Sequence, residues 1–171
     1  MPRRIRCVTL DGYGTLLDRE RGLREALLAV PALGRSGNLA GRIVSRSEEI
    51  EHGLIVSAPD MPDADAPEER YESLPYRPYA EILAESLLLA ARDLGCPLTA
   101  ENAVAAAGSM PRWPLFPDAE RALARIRERF PIGLLANAEE DVLAEAISRI
   151  GVPFDLVVSA EKVGSYKPSP D

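Results

Sequence analysis

A short apolar and β-branched run, Ile5, Cys7, Val8 and Leu10, stops abruptly at a carboxylate, Asp11, and opens into Gly12-Tyr13-Gly14-Thr15. A strand that ends on an acidic residue and turns through glycines holds that carboxylate at the C-terminal rim of a sheet. Open α/β sheets place their chemistry at that rim. The residue two after Asp11 is Tyr13, which carries no carboxylate, and that choice narrows the chemistry available.

The rest of the chain reads as helices and buried strands. Residues 19–30 have helical character and stop before Pro31, and a Gly/Ser/Asn loop follows at 34–38. Leu39, Ile43, Ile50 and Leu54 recur at helical spacing over 39–56. Residues 58–69, rich in Pro, Asp and Ala, read as an exposed loop. The strongest helix pattern covers 78–94, with Gly95 and Pro97 ending it. Thr99 is suited to cap a shorter helix through about Ala107. Beyond Trp113-Pro114-Leu115-Phe116-Pro117, Asp118 is placed to cap a helix running to Phe130. Ile132–Ala136 and Leu156–Val158 are short apolar runs of strand length, separated by a helix whose start is crowded by Glu139, Glu140 and Asp141 and whose end is Gly151. Strands alternating with helices imply a parallel sheet. The block at about 18–112 carries no strand pattern and reads as a helical insertion over the rim.

Charge and cysteine usage exclude some classes. The net charge of −7 argues against a nucleic-acid binder, which needs a basic face. It also means that an anionic substrate would need a local cation. Arg3, Arg4 and Arg6 cluster near the start, but the apolar run behind them is too short for a signal peptide or a membrane span. Cys7 and Cys96 lie far apart and have no metal-ligand spacing. A reduced, cytoplasmic protein with two inert thiols is the expectation, with no membrane partner and a homodimer left open.

Three blocks in order carry a family resemblance: Asp11-Gly-Tyr-Gly-Thr15, Leu134-Leu-Ala-Asn137, and Glu161-Lys-Val-Gly-Ser-Tyr-Lys-Pro-Ser169. With the segment Trp113 to Asp118, they resemble the haloacid dehalogenase superfamily, and within it the type II haloacid dehalogenase branch. The resemblance spans essentially the whole chain. It implies an α/β fold, a Rossmann-like parallel sheet formed by residues 1–17 and 113–171, with residues 18–112 as a helical cap. It also implies a hydrolase in which Asp11 attacks a small-molecule substrate and forms a covalent ester that water cleaves. Thr15 would orient the Asp11 carboxylate, and Lys167 would hold it ionised and in place. Asn137 would hydrogen-bond substrate or nucleophile, although a plain helix cap would look the same.

Phosphatase members carry a second Asp two residues after the nucleophile, as acid for an alkoxide leaving group. Here that position is Tyr13, and a phenol with a pKa of about 10 is a poor replacement. A halide needs no protonation, so Tyr13, counted among the substrate-binding positions, favours carbon–halogen cleavage of a small 2-halo acid without a cofactor. Magnesium would be needed only under the phosphatase alternative. Arg46-Ser-Glu-Glu-Ile-Glu-His52 resembles the segment whose arginine receives the halide. Arg46 shares a helical face with Ile43 and Ile50, although an arginine can also snorkel along such a face. His52, the only histidine, receives no catalytic role. Tyr76, Tyr79 and Trp113 could line an apolar pocket or simply pack in the core.

Two departures stand out. Ala136 replaces the usual Ser or Thr, removing a donor for an anionic oxygen. The superfamily's fourth acidic block and its strand are not found before Asp171, so the chain is expected to be part of a longer enzyme. A catalytically inactive binding protein on the same fold is the remaining alternative.

Overall fold

The structure is a computed structural model that describes residues 5–33, 37–57, 72–73 and 75–169. Arg3, Arg4, most of the expected 34–38 loop and the expected loop at 58–69 lie outside the described residues. The first strand, β1 (Val8–Leu10), is followed by α1 (Arg19–Leu28), a 3₁₀ turn at Pro31–Leu33 and α2 (Gly37–Ile55). Two-residue strands β2 (Val56–Ser57) and β3 (Glu72–Ser73) come next, then α3 (Tyr79–Asp93), α4 (Ala100–Ala107) and a 3₁₀ turn at Met110–Arg112. The chain continues through α5 (Ala119–Arg127), β4 (Ile132–Ala136), α6 (Glu140–Ile150), β5 (Leu156–Ser159) and a short α7 (Ala160–Val163).

The main sheet is parallel, in the order β1-β4-β5. Its central strand β4 buries Ile132, Leu134 and Ala136. A near-continuous apolar strand of this kind is what a parallel sheet covered on both faces requires. β1 is shorter than the apolar run suggested, because its pairing starts at Val8 opposite Ile132, just beyond Pro131. β2 and β3 form a separate antiparallel pair. The block expected to be purely helical therefore contains a small sheet. Asp118 stands at the start of α5 but makes no side-chain cap bond, whereas Asp18, Thr99 and Ser159 each accept a backbone N–H at the starts of α1, α4 and α7. Gly151 ends α6 in the left-handed conformation at φ 72°, as the sequence indicated.

The start of β4 is held by Asp155, whose carboxylate accepts the Ile132 N–H at 2.9 Å and pairs with Arg127 at 2.7 Å. The backbone bond to Ile132, followed by the Arg127 guanidinium, lowers the Asp155 carboxyl below its ordinary range. A lowered folded value contributes stability above the unfolded pKa, and that stability is lost as pH falls through the folded value. Asp155→Asn is therefore expected to flatten the acid limb of a stability-versus-pH curve measured by denaturant unfolding.

Helices α1 to α4 pack on one another in sequence, α1 on α2, α2 on α3 and α3 on α4. Trp113, 2% exposed, packs beside Tyr13, with its indole N–H donating to Ser109 at 2.8 Å. Gly22 of α1 lies so close that an added Cβ would sit 2.2 Å from Trp113 Cγ. Alanine would gain about 1 kcal/mol of helix propensity. The clash falls on a ring fixed on all sides, and overpacking a core costs about 1–3 kcal/mol or more. Gly22→Ala is expected to lower the unfolding midpoint on balance, read by thermal or urea denaturation.

Candidate active site

Three loops meet at the C-terminal rim of the sheet. The first leaves β1 through Asp11 and folds back on itself: Leu16 and Leu17 N–H donate to the Gly12 carbonyl at 2.8 and 3.0 Å, and Gly14 turns with φ +90°. A glycine is suited to that conformation. The returning segment 113–118 runs beside this loop, with Asp18 N–H donating to Pro114 O at 2.7 Å and Phe116 N–H to Leu16 O at 2.9 Å. The second loop leaves β4 through Asn137, and the third follows α7 through Tyr166 and Lys167.

Lys167 Nζ donates to Asp11 Oδ1 and, at 2.7 Å, to the carbonyl of Leu135 in β4. Asn137 grips the Lys167 backbone from both sides, accepting its N–H at 2.9 Å and donating Nδ2 to its carbonyl at 3.2 Å. Two residues that are 30 positions apart are thus fixed as one unit, and the ammonium is aimed at a carboxylate from a third loop. The side chains of Asp11 and Lys167 are 39% and 42% exposed, so the pair faces solvent. An ion pair this open adds at most about 1 kcal/mol to stability. Its value lies in orientation: Oδ1 is committed to Lys167, while Oδ2 makes no hydrogen bond among the described residues.

The other expected residues divide. Thr15 is exposed and its hydroxyl does not bond Asp11. Tyr13, two residues after Asp11, sets its ring edge-on to Trp113 at 5.5 Å. Burial, and then the charges of Glu139 and Glu145, push the Tyr13 hydroxyl well above the ordinary phenol range. Arg46 is not brought to this place. It is 43% exposed, with its guanidinium held by Asp93 at 2.9 Å and Glu49 at 2.6 Å. The buried stripe of α2 runs instead through Ala40, Ile43, Val44, Ser47, Glu51 and Ile55, one step round the helix from Arg46.

Several residues in or near the site escaped the sequence reading. Glu139, expected only to suit the start of α6, sends Oε1 across to accept the Ala80 N–H in the first turn of α3 at 2.9 Å. Tyr166 donates its hydroxyl to the Arg77 carbonyl at 2.5 Å, just before the same helix. Tyr79 is a buried donor rather than a plain wall, bonded to Glu51 at 2.5 Å, and Glu51 also pairs with Arg19 at 2.5 Å. The signal for Glu139 and Tyr166 was their adjacency to Asn137 and Lys167. Their partners lie across the fold and leave no local pattern.

At the rim of this parallel α/β sheet a carboxylate and an ammonium are paired, and loops at the same rim bond to the opening of α3. The chain matches the haloacid dehalogenase-like hydrolase family over residues 5–171 and belongs to it. Among proteins of curated function, none matches it by sequence. In structure it is similar to an L-2-haloacid dehalogenase from Xanthobacter autotrophicus, with a TM-score of 0.73 at 22% identity. That alignment covers 98% of this chain and 61% of the dehalogenase, so the chain spans about three fifths of that relative's length. The same Xanthobacter enzyme with chloropropionic acid covalently bound aligns with a TM-score of 0.69 at 23% identity, covering 98% of this chain and 61% of that one. A HAD-hydrolase, YfnB, from Bacillus subtilis bound to magnesium aligns with a TM-score of 0.70 at 13% identity, covering 97% of this chain and 68% of that one. At these identities the likeness speaks for the fold. Among the described residues, no helix is long and apolar enough to cross a membrane.

Proposed function

We propose that this protein is a hydrolase that cleaves the carbon–halogen bond of a small 2-halo acid through a covalent ester on Asp11. The observation that carries this reading is the pairing at the rim: Asp11 Oδ1 anchored by Lys167, and Oδ2 left for attack. In the first step Oδ2 forms a bond to the halogen-bearing carbon as the carbon–halogen bond breaks and halide departs with the electron pair. Water then adds to the ester carbonyl; the tetrahedral intermediate expels the C2 oxygen, which takes one proton of that water while the other passes to solvent, so the carboxylate is regenerated and a 2-hydroxy acid leaves. The halide expelled in the first step requires no acid, which suits Tyr13, whose buried hydroxyl holds its proton tightly.

Asn137 acts here through Lys167, by fixing the peptide that carries the ammonium. In this reading α1–α4 serve as the cap, with residues 1–17 and 113–171 as the core. Magnesium chemistry of the phosphatase kind fits these residues poorly, because position 13 offers a buried phenol where a second carboxylate would stand. The test is chloride release from 2-chloropropionate in the presence and absence of a chelator, beside magnesium-dependent phosphate release from an aryl phosphate. Chelator-insensitive chloride release supports the proposal. Phosphate release with no chloride release would sink it.

A further inference from the structure

Four buried side-chain polar atoms have no hydrogen-bond partner among the described residues: the hydroxyls of Tyr13 and Tyr76, Glu139 Oε2 and Ser165 Oγ. They are not scattered. Glu139 is 8% exposed, and its charge acts on the hydroxyls of Tyr13, Tyr76 and Tyr166, while Ser165 adjoins Tyr166. The rings of Tyr76 and Tyr166 stack at 5.4 Å. Each loop of the candidate site contributes to this cluster: Tyr13 lies two residues after Asp11, Glu139 two after Asn137, and Tyr166 next to Lys167.

Polar atoms buried without partners are rare in native proteins, and a concentration of them marks a place where a partner belongs. The chemistry of that partner follows from the atoms. A carboxylate oxygen accepts and never donates. Further carboxylates stand near enough to act on the tyrosines, Glu145 on Tyr13 and Glu161 and Asp141 on Tyr76. Among the described residues no cation pairs with Glu139, whose other oxygen is occupied by the Ala80 N–H. The unpaired Glu139 oxygen is therefore suited to accept from an N–H-bearing cation.

We propose that Glu139, in the same set of rim loops that carries the reactive pair, binds a protonated amine on the substrate, so that the preferred substrate is a 2-halo acid whose side chain ends in an ammonium group. This substrate class rests on the reading of Asp11 as the nucleophile, but the amine site does not. Binding of 4-aminobutyrate, 4-hydroxybutyrate and butyrate, compared by calorimetry on the unmodified protein, separates the two. The amine is expected to bind about tenfold or more tightly than either of the others. Glu139→Gln is expected to bring the three within about twofold of one another. Should that variant fail to fold, ring-proton shifts of Tyr13 and Tyr76 on adding 4-aminobutyrate to the unmodified protein locate the site.

Equal binding of the three ligands would overturn the inference and leave the four atoms to ordered water. Preference retained in Glu139→Gln, or unmoved tyrosine rings, would overturn it too. Turnover is the second arm: 4-amino-2-chlorobutyrate is expected to release chloride at a higher kcat/KM than 2-chlorobutyrate. If 4-aminobutyrate binds preferentially and neither chloro acid reacts, the amine site stands and the carbon–halogen reading falls.

Discussion

Asp11→Asn is expected to abolish chloride release, with a loss on the order of a million-fold, the scale seen when a covalent nucleophile is removed. The amide keeps the shape of the side chain and an oxygen for Lys167, so folding is expected to survive. The carbon-attacking lone pair of a carboxylate is gone. Mass spectrometry after a rapid quench should show the unmodified protein heavier by the 1-carboxyethyl group of 2-chloropropionate, esterified to Asp11, and the variant unchanged. Lys167→Met is expected to cost less, about a hundredfold, because it releases the carboxylate from its orientation without removing it. Chloride release that persists in Asp11→Asn would place the reaction elsewhere.

The largest effect on stability is expected at Glu51. Its carboxylate lies between Arg19 of α1 and Tyr79 of α3, both at 2.5 Å, with the Arg19 and Glu51 side chains only 12% and 11% exposed. Glu51→Ala strands a buried guanidinium and a buried phenol together. Breaking such a pair from one side costs about 3–5 kcal/mol. Tyr79→Phe leaves the ion pair in place and removes one hydrogen bond to a charged group, so about 1–3 kcal/mol is expected. A double-mutant cycle between Arg19 and Glu51, read from urea midpoints, should show strong coupling. Values for Glu51→Ala near those of an exposed ion pair would mean that water reaches the cluster.

What the sequence revealed and what it concealed divide along a physical line. Asp11, Asn137 and Lys167 were legible because each stands where a strand or a short turn ends on a distinctive residue, and the parallel sheet gathers such ends at one rim. The ends of the apolar runs were less secure. β1 starts at Val8 because its partner begins after Pro131, a fact held by another segment. The face of α2 was misjudged for a related reason. Its buried stripe includes Ser47 and Glu51, polar residues that periodicity counts as outward. Ser47 is satisfied by the Val44 carbonyl at 2.8 Å, and Glu51 by Arg19 and Tyr79. Removing those two from the pattern shifts the apparent apolar face toward Ile50 and places Arg46 on it. The partners of Glu139 and Tyr166 were invisible because they are backbone groups at 77 and 80, which any residue would supply.

Those two bonds make the helical layer less interchangeable than its surface chemistry suggests. The loops that carry the reactive groups also grip the opening of α3, Tyr166 on the carbonyl at 77 and Glu139 on the amide at 80. A designer grafting a foreign lid onto this sheet must therefore supply both backbone groups at matching height, or Tyr166 and Glu139 lose the partners that tie the rim loops to it.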